Sequence, residues 1–162
     1  MIEGFVLYLP TKIRINSIAI NLNFCKGVKR MDKVGKKYRD ISFRSEKNQK
    51  VVCVHSREAR EYARLLEQEP EVVSYETCHS LDRERYQFVN PIDIRKDYFD
   101  VEWATDFVLH FADGSIGIRE VVTEAMLSKR ANIEKLEFSR RYWSTSESVK
   151  DWKIIIMTKK GE

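Results

Sequence analysis

The chain has 162 residues, 43% of them hydrophobic, with 29 Lys and Arg against 25 Asp and Glu and a formal charge of +4. That length suits one domain with a real core, and no stretch approaches the roughly 18 consecutive apolar residues of a bilayer span, so a membrane partner is not expected. The N-terminus carries neither the apolar run nor the small-residue cleavage site of a signal peptide. Three cysteines, Cys25, Cys53 and Cys78, leave one odd and make no CxxC pair, which suits a reducing compartment. The expected location is cytoplasmic, in a bacterial cytosol or nucleoid. Cys53-Val-His55 and Cys78-His79 are possible seeds of a zinc site, but the ligand spacing of structural zinc is missing, and idle or buried thiols are the expected reading.

Charge is unevenly spread. Residues 1–52 hold 12 Lys and Arg against 4 Asp and Glu, whereas the remainder holds 17 against 21. Phe5 to Leu22 alternates apolar residues and suggests a strand or two, and the basic stretch to Lys50 reads as mostly irregular. Lys26, Lys29, Arg30, Lys33, Lys36, Lys37 and Arg39, interleaved with Phe24 and Tyr38, form a polybasic segment of the kind that neutralises phosphates and releases counterions. A solvated basic loop is the plainer alternative. The chain thus divides into a basic segment, 1–50, and a core, 51–162, together expected to make one domain.

Regular structure is expected from Val51. Val51-Val-Cys-Val54 is a short apolar strand, and Ser56 is a plausible N-cap for a helix that closes before Pro70. Helical spacing groups Glu58, Glu61, Tyr62 and Leu65, with Arg57, Arg60 and Arg64 on a separate basic stripe. An acid on that inner face is ordinarily a salt-bridge partner or an amphipathic edge. Glu71 to Thr77 reads as the next strand and Asn90 to Asp100 as a connection.

Trp103 to Val122 then reads as a β-hairpin around Ala112-Asp113-Gly114. A three-residue loop, with a type I turn followed by glycine in the left-handed region, makes Phe111 face Ser115 and sets Asp106 opposite Glu120. Cross-strand neighbours lie roughly 5 Å apart at Cβ, near enough for two carboxylates to ligate one hard cation. A two-residue loop, Asp113-Gly114, instead opposes Asp106 to Val121 and turns Glu120 to the other face. Two acids at the solvent edge of a hairpin remain the bland alternative. A second long helix, from about Lys129 or Ala131 to Tyr142, shows a partial apolar stripe of Ile133 and Leu136 with Trp143 flanking. Asp151 to Thr158 has the continuous apolar character of a buried strand. The order of elements gives an α/β domain with a mixed sheet.

Several segments, in this order, carry a family resemblance: Glu67-Gln-Glu-Pro-Glu-Val-Val-Ser-Tyr75, Thr105-Asp-Phe107, Asp113-Gly114, Arg119-Glu-Val121, Ile133-Glu-Lys-Leu-Glu-Phe-Ser-Arg-Arg-Tyr-Trp143 and Asp151-Trp-Lys-Ile154. Over about Val51 to Met157 the chain resembles the N-terminal nuclease domain of TnsA, the endonuclease subunit of heteromeric cut-and-paste transposases. The resemblance implies a restriction-endonuclease-like fold of the PD-(D/E)xK type, a mixed central sheet flanked by helices. It implies a Mg²⁺-dependent DNA endonuclease, with Mn²⁺ as a substitute, that cuts double-stranded DNA at transposon 5′ ends. The implied partners are a TnsB-like DDE transposase, which processes the 3′ ends, and a target-selection ATPase.

By the same resemblance, Asp106 is the central metal ligand, Glu120 the second acid and Glu58 the first, with Glu61 its competitor on the early helix. Lys26, Lys29, Arg30, Lys36 and Lys37 are the candidate DNA contacts. The chain departs from the family pattern twice. The early Ser-x-x-Glu reads Ser56-Arg-Glu-Ala59, and the lysine expected two residues after Glu120 is Val122. Valine cannot stabilise phosphorane charge, so a cation from Lys129, Arg130 or Lys135 on the following helix is the expected replacement. Otherwise the chain is a catalytically silent module that binds DNA and docks a transposase, or a nucleic-acid- or protein-binding scaffold without nuclease chemistry.

Overall fold

The computed structural model describes the backbone of Leu7–Tyr8 and residues 40–158. Among these, five strands form a mixed sheet in the order β1-β7-β6-β5-β4. They are β1 (Leu7–Tyr8), β4 (Val72–Ser80), β5 (Ala104–Phe111), β6 (Ile116–Val122) and β7 (Val149–Ile156). β7 runs parallel to both β1 and β6, while β5 is antiparallel to β4 and β6. A second, two-stranded sheet pairs β2 (Ile41–Ser45) with β3 (Lys50–Val54). The stretch up to Lys50 is therefore not irregular throughout. Ile41 and Phe43 pair across from Val54 and Val52 and pack onto the core, an alternation of period two that the surrounding charges obscure.

Helix α1 (Arg57–Leu66) starts where its cap predicts, with the Ser56 hydroxyl accepting from the Ala59 N–H at 3.0 Å. It buries Ala59, Tyr62, Ala63 and Leu66 against Phe107, Leu109, Val121 and Ile155 on one face of the sheet. The Tyr62 ring meets Phe107 edge-on at 5.3 Å. This stripe lies to one side of the expected group, so Glu58 and Glu61 flank the contact, and Glu61 pairs with Arg64 at 3.0 Å.

Past its last turn, Glu67 fastens the small sheet to the helix. Its carboxylate accepts from the Ser45 and Tyr75 hydroxyls at 2.6 Å each and from the Glu46 and Lys47 N–H groups at 3.0 Å. Burial pushes its pKa up, but these four donors outweigh burial and hold it below the usual carboxylate range.

The opposite face carries α3 (Arg130–Trp143), preceded by the single turn α2 (Glu124–Leu127). Two 3₁₀ turns, Arg83–Phe88 and Lys96–Phe99, fold the long β4–β5 connection over it. An aromatic cluster joins them: Tyr86 and Phe99 meet Phe138 edge-on at 4.9 and 5.2 Å, and Tyr98 meets Trp103 at 5.0 Å. Such pairs contribute about 0.5–1.5 kcal/mol each beyond area burial. Ile133, expected on the apolar stripe, is 46% exposed; Leu136, Phe138, Tyr142 and Trp143 fill the core instead.

Candidate functional site

The β5–β6 turn decides which residues meet. The Phe111 N–H donates to Ser115 O at 3.0 Å, the Gly114 N–H donates to Phe111 O at 3.1 Å, and Gly114 adopts φ +81°. This is the three-residue loop with glycine in the left-handed region. The ladder then pairs Leu109 with Gly117, Val108 with Ile118 and Phe107 with Arg119, and one step further the same register sets Asp106 opposite Glu120.

At that step the backbone ladder gives way to side chains. The Val121 N–H donates to Asp106 Oδ2 at 2.8 Å, and the Asp106 N–H reaches Glu120 Oε2 at 3.4 Å. On the other side, β4 pairs Thr77 with Phe107 and His79 with Thr105. Cys78 therefore falls opposite Asp106, and it sits at φ 52°, a conformation that costs a non-glycine residue roughly 1 kcal/mol. Thr105 departs from the strict alternation of its strand. Phe107 and Leu109 face α1, whereas the Thr105 hydroxyl bonds groups on the α3 side.

Glu120 is 1% exposed and belongs to a closed polar network. The Trp143 indole N–H donates to Thr105 Oγ1 at 2.8 Å, and the Trp152 indole N–H donates to Ser139 Oγ at 3.1 Å. Each hydroxyl, its lone pair occupied, passes its own hydrogen to Glu120 Oε1, at 2.9 Å from Thr105 and 2.6 Å from Ser139. Oε1 is thereby committed, and the remaining acceptor capacity of the carboxylate lies on Oε2, towards Asp106.

Burial first, and the Asp106 charge second, push the Glu120 pKa up to about 7, against the pull of Lys135 and the two hydroxyls. Glu120 thus keeps its proton to higher pH than an exposed glutamate does. Two carboxylates are the donor set of a hard cation such as Mg²⁺ or Mn²⁺, and a cation at Glu120 competes with a single proton there.

Of the three candidate cations, Lys135 is the one whose charge acts on Glu120. Lys135, Ser139 and Trp143 follow one another at i, i+4 and i+8, so one stripe of α3 carries the cation, the hydroxyl donor and the indole. The Lys135 Nζ also lies 5.9 Å from the Trp103 ring centroid, within cation–π reach. Lys129 and Arg130 are exposed, and Arg130 is bonded to Glu134 at 2.7 Å. Val122 is 4% exposed and packs in the α3-side core, and Arg119 turns to the other face, bonding Asp151 at 2.5 Å.

Glu58 is half-buried in the first turn of α1, and its carboxylate does not form a ligand trio with Asp106 and Glu120 within 4.8 Å. The reason is geometric: α1 covers the Phe107–Val121 face, whereas Glu120 turns towards α3. Among the described residues, the single trio of ligand atoms lying within 4.8 Å of one another is Asp40, Cys53 and His55, on the small sheet. The candidate DNA contacts Lys26, Lys29, Arg30, Lys36 and Lys37 lie outside the described residues. Arg141 is not an available surface cation: it bonds Glu137 and the Asn90 and Ile92 carbonyls, at 2.7, 2.6 and 2.7 Å.

Sequence reasoning passed over Thr105, Ser139, Trp143 and Trp152 as site residues. Only the i, i+4, i+8 spacing on α3 signalled any of them, and a serine between a lysine and a tryptophan announces no carboxylate partner. Among the described residues, no helix is long and apolar enough to cross a membrane. No family model matches the chain, and no curated protein matches it.

Proposed function

We propose that this chain is a divalent-metal-dependent DNA endonuclease subunit of TnsA type, with a restriction-endonuclease-like architecture, acting on transposon 5′ ends beside a DDE transposase. The observation that carries the reading is the cross-strand acid pair, Asp106 with Glu120, beneath a helix whose Lys135 charge acts on Glu120. The ordered resemblance over Val51 to Met157 supports it, as does a mixed sheet with helices on both faces.

In this reading Asp106 and Glu120 would hold Mg²⁺ or Mn²⁺, which would supply Lewis acidity toward a phosphodiester and a more acidic water. The chain's own residues do the rest. The Ser139 and Thr105 hydroxyls fix the Glu120 carboxylate so that Oε2 faces Asp106. The Val121 N–H fixes Asp106. Lys135 replaces the lysine that Val122 lacks, placing positive charge where the phosphorane develops. Hydrolysis leaves a 5′-phosphate and a 3′-hydroxyl.

Two observations favour a second reading, a catalytically silent module of the same fold that binds DNA and docks a transposase. Glu120 already has hydrogen-bond donors on both oxygens, and Glu58 does not complete a ligand trio. The test is cleavage of supercoiled DNA in Mg²⁺ or Mn²⁺, with and without the matching transposase and end sequences. Cleavage by the wild type that is lost in Asp106→Ala and falls at least tenfold in Lys135→Ala is the expected result. DNA binding without cleavage under every combination selects the silent module.

A further inference from the structure

We propose that Asp40, Cys53 and His55 form a transition-metal site of their own, separate from the acid pair and selective for a borderline ion of the Zn²⁺ class. The β2–β3 register pairs Ser42 with Cys53 and Ile41 with Val54, and one step further it sets Asp40 opposite His55. Ile41, Phe43, Val52 and Val54 belong to the core face of this hairpin. Cys53 and His55, two residues apart, therefore share the other face with Asp40. The spacing Cys-x-His is too short to announce a zinc site along the chain. The third ligand comes from across the hairpin, which is why register reveals it.

The atoms suit the ion. One oxygen of Asp40, the Cys53 Sγ and one ring nitrogen of His55 all lie within 4.8 Å of one another. In a tetrahedral zinc site, bonds of about 2.0–2.3 Å place ligand atoms roughly 3.3–3.8 Å apart, inside the 4.8 Å limit that these atoms satisfy. His55 Nδ1 already bonds Asp40 Oδ1 at 2.8 Å, so the nitrogen that would ligate is aimed at the carboxylate, and the ion would take the place of the proton between them.

The Cys53 Sγ, whose hydrogen bond to the Val54 carbonyl is long at 3.9 Å, lies beside both atoms. Thiolate and imidazole select Zn²⁺-class ions over Mg²⁺ or Ca²⁺, and three protein ligands leave the fourth position to water. The His55 side chain is 16% exposed and that of Asp40 45%, so solvent reaches that fourth position. His55 also directly precedes Ser56, the N-cap of α1, and an ion there would clamp the hairpin to the start of the helix.

The test uses Co²⁺ as a spectroscopic stand-in for Zn²⁺ on the full chain. One thiolate-bound Co²⁺ per chain, read from a thiolate-to-cobalt charge-transfer band that Zn²⁺ abolishes, is the expected result. Cys53→Ser should remove the band, and His55→Ala and Asp40→Asn should each weaken binding at least roughly 100-fold, as ligand losses exceed the 10–100-fold effects of outer partners. Cys78→Ser and Asp106→Ala should leave the band and its intensity per chain in place, which separates this site from the nuclease reading. No thiolate–cobalt band in the wild type overturns the proposal, as does a band that persists in Cys53→Ser or disappears in Cys78→Ser.

Discussion

Glu120→Gln keeps the shape of a buried side chain and deletes its titration. The folded carboxyl holds its proton up to about pH 7, whereas an unfolded one releases it near 4.5. Between those values the folded state binds more protons, so the stability associated with protonated Glu120 is fully present below about pH 4.5 and is lost as pH rises towards and through 7. At roughly 1.4 kcal/mol per pH unit, the gap amounts to roughly 3 kcal/mol, of which roughly 2–3 kcal/mol falls between pH 5 and pH 8. Glutamine has no such loss, and its carbonyl accepts from the Thr105 and Ser139 hydroxyls as Oε1 does. Urea unfolding of both proteins at pH 5 and pH 8, without divalent metal, measures the difference directly. Glu120→Gln should gain on the wild type by that amount as pH rises. If the difference between the two proteins stays constant to within about 0.5 kcal/mol, the ordinary scatter of such comparisons, burial and Asp106 do not set the Glu120 proton affinity and the charge argument fails.

Two further changes test the frame that holds the pair. Glu67→Ala strips the acceptor from the Ser45 and Tyr75 hydroxyls, which are 0% and 1% exposed; it should cost about 2–4 kcal/mol in urea unfolding, since each orphaned buried donor costs about 1–3, and a loss under about 0.5 kcal/mol would show that the small sheet does not depend on this clamp. Gly117→Ala places a Cβ 2.8 Å from Asp151 Oδ1 and 2.9 Å from Phe111. Asp151 has little freedom to yield, because Arg119 and Lys153 bond it at 2.5 and 2.9 Å, so the change should lower the melting temperature by about 3–6 °C; an unchanged value would mean that the Arg119–Asp151 pair moves freely.

The sequence by itself narrowed the geometry around the acids to two registers. Ala112-Asp113-Gly114 admits few turns, and with the three-residue loop that the Phe111–Ser115 hydrogen bond selects, the side-chain period of two carries the register back to Asp106 and Glu120. Ser56 marked the start of α1 because a hydroxyl at an N-cap satisfies an amide that the helix cannot. The apolar run after Asp151 marked a strand buried on both faces. Strand β2 escaped because its two core residues, Ile41 and Phe43, sit among charges that local composition reads as irregular.

Tertiary structure alone decided which partners each acid receives. Glu58 carries the same chemistry as Asp106, yet α1 packs through Ala59, Tyr62 and Ala63 onto the sheet face that Glu120 does not use, and no local pattern states which face a helix will cover. Ser139 becomes a partner of Glu120 only because α3 crosses the other face with Lys135 and Trp143 on the same stripe. Asp40 meets Cys53 and His55 only through hairpin register. Turns and caps are fixed by neighbours along the chain, within a few residues, whereas a buried carboxylate's charge state depends on burial and on groups that the sequence leaves 14 or more positions away.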